Sequence, residues 1–179
     1  IDFACHNRDA FDTSWSIAQA SLACERWHEA IVRQIYEVGC TEEQLAAVAN
    51  YGPLPDEAVV DGHMFMALRT RPRIYEEGRA MHHCVATYAE QVFAGRCWIY
   101  SVVRGDERIA PLELRPAANG FALAQIKAHC NRPPPAETTV AAVRFLVTIN
   151  DAVAMAPEAL LAAAPEAEQR PRPAPRRRQ

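Results

Sequence analysis

Lysine is all but missing from this chain of 179 residues. Of its 19 basic side chains only Lys127 is not arginine. A skew that strong reads more readily as a GC-rich coding bias than as a functional signature. Also missing is any run approaching the ~20 apolar residues needed to cross a bilayer, so no membrane insertion is expected. The start carries no charged, apolar and cleavage regions of a secretory signal. A cytoplasmic location is therefore expected. The six cysteines (Cys5, Cys24, Cys40, Cys84, Cys97 and Cys130) form no C-x-x-C and no dense secreted-scaffold pattern, which argues for reduced, mostly buried thiols rather than a disulfide framework. The chain opens on Ile1 rather than Met, so a truncated N-terminal region is expected, with room for a further domain before it.

What is present is enough apolar material for one core: half the residues are hydrophobic, and a domain of this length buries a sizeable interior. The net charge of −3 hides an asymmetry. Residues 170–179 hold five arginines and no acid, leaving the rest of the chain distinctly acidic. The Arg170–Arg178 stretch is the one basic patch. It is expected to be solvated, with weak, sequence-independent contact to nucleic-acid phosphate as the functional alternative.

Periodicity divides the chain into three regions: a helical N-terminal region over 1–75, an α+β core over 76–156, and a Pro/Ala/Arg tail over 157–179 too poor in apolar surface to fold. Ile17, Ala20, Ala23, Cys24, Trp27, Ile31 and Ile35 predict an amphipathic helix over Thr13–Val38, capped by Thr13 or Ser14 and ended by Gly39. Thr41 and Gln44 fit a capping box at the start of a second helix. The apolar stretches at Ala58 and at Met64–Leu68 read as helix turns or partly buried loop, with Pro72 as a breaker. Met81, Cys84, Val85, Tyr88 and Val92 lie on one face of a predicted motif helix that stops at Gly95. The period then changes to two. Strands are predicted over 97–103, 108–115 and 121–128, joined by Arg104–Glu107 and by a turn containing Asn119-Gly120. Ala122, Ala124 and Ile126 are assigned to the inner face of the third. Pro111 is awkward in a middle strand, because it lacks the N–H that a ladder needs; it demands a bulge or another strand order. A helix over 137–155 closes the domain. The fold class is thus α+β: N-terminal helices, a motif helix, a three-stranded antiparallel meander and a C-terminal helix.

Two groups of residues could carry chemistry. In Met81-His82-His83-Cys84, the first turn of a helix would favour a Cys84 thiolate, and His82 or His83 could activate it. Against that, Cys84 shares the apolar stripe, where a free cysteine acts as a small hydrophobe. A zinc module would draw on His82, His83, Cys84, Cys97, His129 and Cys130, but adjacent ligands rarely bind one ion; no metal and no cofactor are assigned. The second group is a polar sheet face. Regular hairpins would place Glu113, Gln125 and Lys127 beside Trp98 and Tyr100, with Asn131 following. That is a solvated face or a binding face.

Taken in order, Glu77-Gly78, Met81-His82-His83-Cys84-Val85, Tyr88, Gly95, Ile99-Tyr100-Ser101, Leu112-Glu113-Leu114, Gln125-Ile126-Lys127 and Asn131 resemble the PcfJ-like family of plasmid and mobile-element proteins. The resemblance covers the stretch between Glu76 and Pro135. It departs at Ala110-Pro111, where the family usually has a small residue followed by a strand former, and at Ala128, where glycine is expected. The resemblance implies association with conjugation or relaxosome proteins and with mobile-element DNA processing. It implies no established catalytic activity. The expected role is a non-enzymatic accessory or adaptor. The alternatives are a Cys/His-dependent hydrolase or transferase using Cys84 and a small structural zinc module.

Overall fold

The computed structural model describes residues 12–38 and 40–155. The expected stop at Gly39, the tail and Cys5 lie outside the described residues. Among the described residues five α-helices and one five-stranded sheet make up an α+β fold: α1 (Ile17–Val38), α2 (Glu42–Ala46), β1 (Glu57–Val60), β2 (His63–Ala67), α3 (Arg71–Met81), α4 (Ala89–Phe93), β3 (Trp98–Arg104), β4 (Glu107–Ala117), β5 (Gly120–Ile126) and α5 (Ala136–Met155). The sheet runs β1-β2-β3-β4-β5, and every neighbouring pair is antiparallel.

The expected three-stranded meander is correct for β3–β5 but two strands short. Ala58 and Met64–Ala67 are not helix turns or loop but strand, in the β1–β2 hairpin that turns through Asp61 and Gly62, both at positive φ, while Leu68 is a buried loop residue just past β2. Short apolar runs do not by themselves distinguish strand from helix. Pro72 does not break a helix but sits in the first turn of α3, where its missing N–H is one that no helix could use. The capping box at Thr41 and Gln44 is present. At the start of α1 the cap is Ser16 rather than Thr13 or Ser14: the Gln19 N–H donates to Ser16 Oγ, and the Ser16 N–H donates to Gln19 Oε1 at 2.8 Å.

The two faces of the sheet follow from strand register. Tyr100 stands opposite Leu112 and Trp98 opposite Leu114. These side chains point toward α5, where Phe145 stacks on Phe65 at 4.4 Å and meets Tyr100 edge-on at 5.1 Å. Trp98 meets Phe121 at 5.0 Å. α5 is long and apolar enough to cross a membrane by length and composition, yet its Ala141, Ala142, Phe145, Ile149 and Val153 are buried in the core cluster that includes the sheet's side chains. The opposite face carries Ile99, Ser101, Pro111, Glu113 and Gln125, and α3 with the segment after it packs there.

Two bulges shape β4 and β5. On β4, Ile109 is the extra residue between the Val102–Ala110 and Val103–Arg108 pairs. On β5, Ala124 is extra between the Glu113–Gln125 and Leu114–Leu123 pairs. A bulge shifts the alternation by one residue. Hence Phe121 and Leu123 face inward, while Ala122 and Ala124 are exposed, contrary to the even alternation expected for that strand. Pro111 fits because the Lys127 N–H donates to Pro111 O. The N and O of one strand residue point to the same side, so the donorless nitrogen faces the point where β5 ends.

Candidate functional site

The motif segment is not one helix. α3 ends at Met81, and His82 takes the left-handed conformation at φ 48°. His83 is extended, and Cys84–Tyr88 forms a single stretch of 3-10 helix before α4. Gly78 makes this reversal possible: a Cβ there would stand 3.0 Å from Ala86 Cβ and 3.1 Å from His83 O, so only glycine lets the returning chain pack this close. Arg71, at the start of α3, fixes the other end of the segment. It lies 3.9 Å over the Phe93 ring and donates to Glu90 at 2.9 Å.

The reversal changes the expected role of Cys84. The residue opens a short 3-10 turn rather than an α-helix, so little helix dipole acts on it. Met81, Val85 and Val92 are buried as the stripe required, but Cys84 and Tyr88 are only half-buried. They line a half-open cleft with about 280 Å³ of empty space, mouth included. His83, Cys84, Val85 and Tyr88 form one wall; Ile99 of β3, Pro111, Leu112 and Glu113 of β4 and Gln125 of β5 form the other.

Glu113 is the one charged residue among these lining residues, and it is 6 % exposed. Arg115, two residues along the strand, donates to Glu113 Oε1 at 2.6 Å. Gln125 stands directly across from Glu113 on β5. Burial pushes the Tyr88 hydroxyl pKa up, and the charges of Cys84 and Glu113 add to the shift. Just outside the cleft, burial pushes the Cys97 thiol up to about 12, with Glu113 contributing. Cys97 is thus a neutral core residue.

The structure therefore brings together Cys84, His83, Glu113 and Gln125 and leaves the other candidates apart. Trp98 and Tyr100 do not share the face of Glu113: register places them on the α5 side, where they donate to Asn50 O and Pro55 O. His82 turns away and meets the His129 ring at 4.8 Å. Lys127 lies one position past the end of β5, and Asn131 sits at φ 60° in a short turn; neither lines the cleft. Ala128, where glycine is expected, is extended, so it needs none of the freedom glycine supplies. Among the described residues no three His, Cys, Asp or Glu side chains are gathered to hold a metal ion, and the zinc reading finds no support.

One charged group escaped the reading of the sequence. Glu77, 1 % exposed, faces the same side of the sheet. Its Oε2 pairs with Arg108 Nε at 3.1 Å, and Arg108 also reaches Glu76 at 3.1 Å. Among the described residues Glu77 Oε1 and Ser101 Oγ find no partner in full hydrogen-bond geometry, although the Ser101 hydroxyl is near enough to favour the Glu77 carboxylate. Burial raises the Glu77 pKa to about 7 against the smaller opposing effects of Ser101 and Arg108. The available signal was position: Glu77 lies on the helix face of Ile74, Gly78 and Met81, where a charge is out of place.

An α+β protein with an antiparallel sheet, covered on one face by a long helix and carrying a small polar cleft on the other, is the class these elements define. The sequence profile of PcfJ-like proteins matches residues 24–143, and the chain belongs to that family. No curated protein and no solved structure matches the chain significantly. Every residue lining the cleft except Pro111 belongs to the string of residues by which the family resemblance is recognised.

Proposed function

We propose that this PcfJ-like protein is a non-enzymatic accessory of plasmid conjugation or related mobile-element DNA processing, acting in the cytoplasm. It engages a conjugation or relaxosome protein by admitting one protruding group into the cleft. The observation that carries this reading is the Glu113–Gln125 pair: a buried carboxylate and an amide set side by side in a cleft walled by Val85, Ile99 and Pro111. Buried polar groups are costly unless paired, and a recognition site keeps its pairing capacity for the incoming group. The enclosed part of the cleft is only about 20 Å³, far short of a site that encloses a drug-sized ligand, which favours the end of a side chain over a whole nucleotide. The test is transfer of the host element after deletion of the gene and complementation. Cys84→Ala should restore transfer, whereas Glu113→Ala with Gln125→Ala should not. Full transfer without the gene, or restoration by the double variant, defeats the reading.

A second reading is favoured by the half-buried Cys84 beside His83: a thiol-dependent hydrolase or transferase. A thiolate there would share the cleft with the Glu113 carboxylate, and like charges oppose each other in such a site. Iodoacetamide labelling followed peptide by peptide against pH decides it. Cys84 should label at neutral pH if it is a nucleophile, and no earlier than an ordinary thiol if the accessory reading holds.

A further inference from the structure

The geometry points to a guanidinium group, the end of an arginine side chain, as the ligand of the Glu113–Gln125 cleft. This deepens the binding reading and rests on it. Glu113 presents two carboxylate oxygens. Among the described residues, Arg115 supplies the carboxylate's hydrogen bond and takes Oε1; the Gln125 amide makes none. The cleft thus offers unused acceptors on two adjacent strands, at directly opposed positions. An anion would meet the Glu113 carboxylate, whose compensating cation, Arg115, does not line the cleft. A polyhydroxyl ligand finds no partners on the Val85, Ile99 and Pro111 walls. Of the cations, an ammonium is compact and strongly hydrated, so these walls would strip it at high cost. A guanidinium is planar, weakly hydrated and armed with five donors in a fixed fork. Two of those donors meet two acceptors on neighbouring strands, while its face can lie on the Tyr88 ring. The Arg115 bond shows that the carboxylate already receives one guanidinium from outside, and a carboxylate has lone pairs for a second.

The test uses the full chain and two small probes, Nα-acetyl-arginine amide and Nα-acetyl-lysine amide, followed by NMR. The arginine probe should shift the Gln125 side-chain amide and the Val85 and Ile99 methyls saturably, at least ~10-fold more tightly than the lysine probe. Glu113→Gln, which keeps the side-chain shape, should abolish the preference while leaving the rest of the spectrum in place. Gln125→Met should weaken it. Equal response to both probes, shifts elsewhere on the protein, or none at all overturns the assignment. If transfer still fails in the Glu113/Gln125 double variant while no probe binds, the cleft remains the recognition site and only the ligand class is wrong. Replacing Arg170, Arg172, Arg176, Arg177 and Arg178 by glutamine separates the two sources of guanidinium. Tighter probe binding assigns the group to the chain's own terminus, unchanged binding to a partner, and both support the guanidinium assignment.

Discussion

The two faces of the sheet solve different problems with the same five strands. On the α5 side, Phe65, Tyr100, Phe145, Trp98 and Phe121 interlock, and the polar groups that reach this core are satisfied: His63 meets Thr138 at 3.0 Å, and the Tyr51 hydroxyl accepts from the Ile99 N–H at 3.1 Å. On the other side, among the described residues, a carboxyl oxygen of Glu77 and the Ser101 hydroxyl find no partner in hydrogen-bond geometry, and the Glu113 carboxylate receives one side-chain donor, Arg115. The first face holds the fold together. The second keeps polar groups where packing alone would have excluded them, as recognition sites do.

The sharpest way to break this comparison is to cut into the first face. Phe145→Ala removes a ring that is 0 % exposed and stacked on Phe65. A loss of about 3–5 kcal/mol is expected in denaturant unfolding. The same measurement on Cys84→Ala should fall well below that, because Cys84 is only half-buried. Comparable losses would show that the cleft wall is core after all.

The next largest effect should come from the chain reversal that builds the second face. Gly78→Ala drives a methyl group against Ala86 and His83 O. The neighbours are the backbone and Cβ of the returning segment, so they cannot swing aside. A cost of about 1–3 kcal/mol is expected, together with altered Cys84 labelling, since the 3-10 turn must shift. Unchanged stability and labelling would show that the turn is loosely held.

These contrasts also explain what the sequence could disclose. Helix α1, the capping box of α2, strands β3–β5 and α5 were legible because each is set by local periodicity or a cap. β1 and β2 were not: both are short, and the pairing of β2 with β3 across α3 and α4 is a long-range choice. The site was half legible. Glu113 and Gln125 could be named from alternation, but two bulges decide which face each strand residue takes, and a bulge leaves little trace in composition. Trp98 and Tyr100 were misplaced by that route. Cys84 was misread because its stripe runs through a left-handed residue at His82 that no 3.6 period reveals.

Glu77 offers an effect confined to the higher pH range and the finest distinction between the faces. Its carboxyl ordinarily titrates near 4.5 but is raised to about 7 by burial. A raised acid binds its proton more tightly in the folded state. The stability it contributes is present below about 4.5 and is lost as the pH rises through about 7. Glu77→Gln keeps the shape and removes the titration, and Arg108 retains Glu76 at 3.1 Å. The variant should therefore match the parent near pH 5 and overtake it near pH 8 by about 1–3 kcal/mol. Urea unfolding at the two pH values reads this directly. A constant difference between the proteins would mean that Arg108 holds Glu77 charged throughout, and the second face would then be as well satisfied as the first.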